Sequence, residues 1–137
     1  FIGSPQMNFV DAKCKVEGKK VSLVAGPASI ELPEAKAKKL IDGGYNGKTV
    51  VLGIRPEDVH DEPDFLAKSP NTIIEATIRV YEMLGAEVYL HFDYEGSTMT
   101  ARVDPRTTAR TGDTVKFALD ADRIHVFDKE TENTITN

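Results

Sequence analysis

The chain has 137 residues, 40% of them hydrophobic and 28% charged, which suits a folded globular domain and excludes a disordered one. Its net charge of -5 disfavours a surface that attracts nucleic acid or anionic lipid. The single cysteine, Cys14, cannot staple the fold within the chain; it lies in an alternating stretch like a small core residue and favours a reducing compartment.

No apolar run approaches the roughly 20 residues that a membrane helix needs. The start, Phe1-Ile2-Gly3-Ser4-Pro5, has no initiator Met, basic region or apolar signal core, and reads as part of a longer chain. Strand signals then follow. Residues 7–14 form a first candidate. Glu17-Gly18-Lys19 turns into residues 21–24, and Gly26-Pro27 turns into residues 28–32. One short helix is expected at about 33–42, with Pro33 at its start, Glu34 at the positive end of the dipole and Gly43 at its C-terminal cap. Ala37, Leu40 and Ile41 make its buried side; Lys36, Lys38 and Lys39 make its wet face. Residues 48–55 form a strand that ends at Pro56-Glu57-Asp58, where a short helical turn can begin.

Residues 60–71 are polar, contain Pro63 and Pro70, and read as a connection between two halves. Asp61, Glu62 and Asp64 read as a solvated loop, since calcium-loop spacing is missing. From Thr72 the alternation is clear. Ile74, Ala76, Ile78 and Val80 share one phase, after which Tyr81 and Met83 become the apolar partners. Such a slip predicts a β-bulge. Gly85-Ala86 turns the chain into Val88, Leu90, Phe92 and Tyr94, a hairpin. Three further strands follow, carrying Met99, Ala101 and Val103, then Val115, Phe117 and Leu119, then Ile124 and Val126. The fold class is therefore mostly β: OB-fold-type barrels of short antiparallel strands with one short helix at about 33–42. The domain is expected over residues 1–131, built from two intertwined halves at about 1–60 and 72–128, with a frayed tail at 132–137.

Catalytic signals are weak. Gly47-Lys48-Thr49 resembles the end of a phosphate-binding loop, but the upstream glycine spacing is missing and no helical pattern follows, so a turn entering a strand suffices. His60, His91 and His125 form no local metal pair, and His91 and His125 occupy polar strand phases, as surface or dimer-contact residues would. No metal, cofactor or catalytic residue is assigned. Arg55 ends an apolar strand; it either contacts a partner or anion, or pins loop carbonyls or Glu57, and the structural role is preferred. Arg106, Thr107, Thr108, Arg110 and Thr111 make a loop rich in hydroxyls and guanidiniums, where an exposed turn is preferred over an oxyanion site.

The segments Phe1-Ile2-Gly3-Ser4-Pro5-Gln6-Met7-Asn8-Phe9, Leu52-Gly53-Ile54-Arg55-Pro56-Glu57-Asp58-Val59 and Glu82-Met83-Leu84-Gly85-Ala86-Glu87, followed in order by Ala101-Arg102, Thr111-Gly112-Asp113 and Ile124-His125-Val126-Phe127-Asp128, resemble the C-terminal regulatory domain of sugar ABC importer ATP-binding subunits. These are subunits of the maltose and multiple-sugar type. The resemblance implies an OB-type barrel architecture, the TOBE domain, and a non-catalytic regulatory and dimerisation role. The parent's missing N-terminal domain would bind ATP and Mg and hydrolyse the nucleotide. The implied partners are a second ATP-binding subunit, the chain's own ATPase domain and, in some members, a regulatory protein. Membrane contact would run only through permease subunits at the cytoplasmic face, and no nucleic acid is implied. By position, Arg55, Glu57, Glu82, Gly85 and Glu87 are the contact candidates. A small-ligand sensor of oxyanions or sugars is the alternative.

Overall fold

A computed structural model describes residues 6–137, so the first five residues of the opening segment lie outside the described residues. The chain runs through β1 (Asn8–Glu17), β2 (Lys20–Ala25), β3 (Ala28–Glu31), α1 (Glu34–Asp42), β4 (Thr49–Ile54), a 3-10 turn (Pro56–Asp58), β5 (Val59–His60) and α2 (Pro63–Lys68). It continues through β6 (Ile73–Leu84), β7 (Glu87–Tyr94), β8 (Ser97–Val103), β9 (Thr114–Leu119), a 3-10 turn (Ala121–Arg123), β10 (His125–Asp128) and β11 (Thr134–Thr136).

The strands form two antiparallel sheets, ordered β11-β10-β4-β1-β2-β3 and β5-β9-β6-β7-β8. Period-two burial explains most of them: β1 alternates buried and exposed from Asn8 through Lys15, and β7 buries Val88, Leu90, Phe92 and Tyr94. β4 differs, burying Leu52, Gly53 and Ile54 in succession. It is flanked by β1 and β10, and a Cβ on Gly53 would stand 2.7 Å from Met7 Sδ and 2.9 Å from the Phe127 ring. Glycine at this position admits that close cover.

Strands cross between the halves: β5 pairs with β9, and β10 pairs with β4. One continuous core results, with Phe92 and Phe117 stacked at 4.7 Å between ring centroids. The buried Tyr94 hydroxyl donates to the Ala25 carbonyl at 2.6 Å, joining the two sheets. Cys14 belongs to this core, where burial pushes its thiol up.

A bulge is present as expected, but it falls between Ile78 and Val80, ahead of the slip predicted after Val80, and Val80 leaves the buried phase. Other expectations change. Residues 63–68, read as a linker, form α2, which starts on Pro63. The tail read as frayed contains β11, paired with β10, and Thr136 is buried. Lys36 is buried, not wet, because its ammonium donates to the Asn137 carbonyl. Desolvation lowers its pKa, opposed by the charge of Asp122. Ile41, expected inside, is exposed.

Candidate interaction surface

The five contact candidates fall in two places. Arg55 and Glu57 flank Pro56, whose fixed φ opens the 3-10 turn after β4, and the Asp58 N–H closes it on the Arg55 carbonyl at 2.9 Å. Both side chains are exposed. Among the described residues, the Arg55 guanidinium makes no hydrogen bond or ion pair to a loop carbonyl or to Glu57, so the preferred structural role finds no support there.

Glu82, Gly85 and Glu87 lie on the β6–β7 hairpin. Gly85 has φ of 63°, a left-handed turn conformation that suits glycine. Glu82 Oε1 is 3.1 Å from His91 Nε2, and His91 Nδ1 is 2.9 Å from Thr100 Oγ1. The Tyr89 hydroxyl donates to Glu87 at 2.7 Å, and that carboxylate pushes the phenol above its ordinary value. Among the described residues, no hydrogen bond or ion pair joins the Arg55–Glu57 pair to the hairpin.

Three further residues define this surface. β6 pairs with β9 only from Ile73 to Thr77, whereas its pairing with β7 runs on to Leu84. Beyond the bulge, β6 is therefore an edge, touched on its open side by the Thr111 hydroxyl, which accepts from the Tyr81 N–H at 3.2 Å. Val80, Met83 and Leu84 are 45%, 55% and 54% exposed there. Val80 and Met83 were expected to face the core; here β6 is the outer strand of the β6-β7-β8 stretch, and the cover that buries Val88 and Leu90 on β7 does not reach Val80, Met83 or Leu84 at the edge. The available signal was apolar residues on both phases of Val80-Tyr81-Glu82-Met83-Leu84, a pattern that a half-buried strand does not produce. An exposed apolar strand edge is a template for pairing with another chain.

The loop considered for oxyanions is differently disposed. Arg106 is engaged by Asp104 at 3.0 Å, which holds that carboxyl low. Arg110 donates to the carbonyls of Thr107 and Ala109 and lies 4.5 Å over the Tyr81 ring. Thr107 donates to Asp61, whose carboxyl is pushed up by burial. These donors are satisfied within the fold, and the adjoining groove is lined by Asp61, Glu62, Asp64, Asp104 and Asp113, so the loop does not favour an anion. Gly47-Lys48-Thr49 turns directly into β4, as the non-catalytic reading requires.

Comparison with known proteins identifies the family of the fold. Residues 3–59 match the family described as the MalK OB fold domain, and residues 52–127 match the TOBE domain. The chain is 41% identical over 132 residues to the oligosaccharides import ATP-binding protein MsmX of Bacillus subtilis, covering 96% of this chain and 35% of that protein. It is 35% identical to the multiple sugar-binding transport ATP-binding protein MsmK of Streptococcus mutans, over 98% of this chain and 35% of the relative. It is 33% identical to the trehalose/maltose import ATP-binding protein MalK of Thermococcus litoralis, over 98% of this chain and 36% of the relative. The chain thus spans about a third of the length of these relatives. Among solved structures, the cytoplasmic molybdate-binding protein ModG superposes with a TM-score of 0.61 at 14% identity, covering 91% of this chain and 96% of that one, a likeness of fold. The chain belongs to the TOBE domain family, with an OB-type fold, and resembles sugar importer ATP-binding proteins along nearly its whole length.

Proposed function

We propose that this chain is a non-catalytic regulatory and dimerisation domain of the ATP-binding subunit of a sugar ABC importer. ATP and Mg belong to a separate nucleotide-hydrolysing domain of the same subunit. A second subunit covers the hairpin edge, and Arg55 with Glu57 offers a charged contact to that subunit, to the ATPase domain or to a regulatory protein. The assembly meets the membrane at its cytoplasmic face through permease subunits. No helix among the described residues is long and apolar enough to cross a membrane.

The observation that carries this reading is the open edge of β6, where Val80, Met83 and Leu84 stand exposed beside Glu82 and Glu87. Sedimentation of the chain over a concentration series tests it. The expected result is a reversible rise in mass with concentration that Leu84→Glu abolishes and Glu82→Arg weakens. A wild-type chain that stays monomeric up to about 1 mM would remove self-association from the domain's own properties.

A further inference from the structure

Asp58, His60 and Asp120 form a cluster away from the hairpin. Asp58 closes the first 3-10 turn and His60 ends β5. β5 pairs with β9 with Val59 opposite Leu119 and His60 opposite Ala118, and the Asp120 N–H donates to the Asp58 carbonyl at 3.0 Å. The backbone thereby fixes Asp58 across from Asp120. One ligand atom from each of the three side chains lies within 4.8 Å of the others.

Two carboxylates held together repel; Asp120 Oδ1 accepts from the Asp122 N–H at 3.2 Å as the cap of the second 3-10 turn, which leaves its other oxygen for the cluster. Burial and the charges of Glu57 and Asp120 push the Asp58 carboxyl up, while Arg123 and His60 act against them. The histidine is held from outside the cluster. Its Nδ1 is 3.1 Å from Glu62 Oε2, and its ring stacks on Phe65 of α2 at 3.9 Å between centroids. A carboxylate on one imidazole nitrogen fixes the ring, the usual outer-shell arrangement around a metal-binding histidine, and an ion bound there would take the other nitrogen, Nε2. Phe65, otherwise an apolar residue on a helix without buried residues, thereby has a partner and a purpose.

We propose that Asp58, His60 and Asp120 form a three-ligand site for a divalent transition-metal ion of the zinc class, with Glu62 and Phe65 as positioning residues. One imidazole with two carboxylates suits Zn2+, Mn2+ or Co2+ better than Mg2+ or Ca2+, which prefer oxygen throughout. Bonds of about 2.0–2.2 Å place donor atoms roughly 3.5 Å apart, so the side chains need draw together by no more than about 1 Å on binding. The ion joins the Pro56–Asp58 turn to the loop that follows β9, linking the halves of the chain where β5 crosses between them. This site is independent of self-association through the hairpin.

Isothermal titration of the chain with Zn2+, and separately with Mg2+, tests the proposal. The expected result is saturable binding of one Zn2+ per chain, with Mg2+ much weaker. His60→Gln and Asp120→Asn each abolish it, Glu62→Gln weakens it about 10–100-fold, and His125→Gln leaves it unchanged. Circular dichroism of each variant checks folding, and Glu62→Gln carries the test if a ligand variant unfolds. Absence of saturable Zn2+ binding up to about 1 mM overturns the proposal. So does binding that survives either ligand substitution, or Mg2+ binding as tight as Zn2+.

Discussion

Asn8 is 5% exposed at the start of β1 and uses both ends of its carboxamide. Nδ2 donates to the Thr100 carbonyl at 2.9 Å, and Oδ1 accepts from the Thr100 N–H at 2.8 Å. The side chain thus acts as a strand rung between β1 of one sheet and β8 of the other. Asn8→Ala leaves a partly buried donor and acceptor without partners, each costing about 1–3 kcal/mol. A loss of about 2–4 kcal/mol is expected in urea unfolding, with the slope unchanged. A loss near zero would show that water replaces the carboxamide. The sequence places Asn8 in a strand and says nothing of this role, because the bond spans 92 positions and leaves no local pattern. Lys36 is similar: its helical spacing matches that of Lys39, and only an acceptor 101 positions away draws it inside. By contrast Cys14, Phe92 and Phe117 were legible as core, since strand alternation alone decides their side.

β11 illustrates how an element can form without an apolar pattern. It offers one partly buried apolar side chain, Ile135, and is held by pairing with β10, with Val126 opposite Thr136 and Phe127 opposite Thr134. The Asp128 N–H donates to the Asn133 carbonyl at 2.8 Å, which extends the pairing. Truncation after residue 132 removes that acceptor, the cover over β10 and the carbonyl that receives Lys36. The expected outcome is a lower urea midpoint and faster hydrogen exchange at the Asp128 amide than at the amides of β1 and β2. Unchanged exchange at Asp128 would mean the tail adds nothing to β10. Composition suggested fraying because backbone pairing at an open edge needs little hydrophobicity, and composition cannot register that edge. α2 escaped for a related reason: six residues are too few to display a helical period, and none of them is buried. The β6 bulge was legible because a one-residue slip moves every later side chain to the other face.

At the scale of the molecule, the two sheets share one core and exchange strands, so neither half of the chain can bury its apolar face alone. Leu52 on β4 and Phe92 on β7 lie in different sheets, and both are essentially fully buried. Phe92→Ala is expected to cost about 3–5 kcal/mol and Leu52→Ala about 2–5 kcal/mol. If the core is one cooperative unit, each substitution shifts the same single thermal transition, with calorimetric and van't Hoff enthalpies equal. A second transition in either variant would show that the sheets unfold separately. The hairpin tip obeys a different rule. Leu84 is 54% exposed beyond the last rung of β9, so Leu84→Glu removes little buried area from the isolated chain. The same variant that abolishes association should therefore leave the thermal transition of the dilute chain nearly in place. This contrast distinguishes loss of a contact surface from loss of the fold.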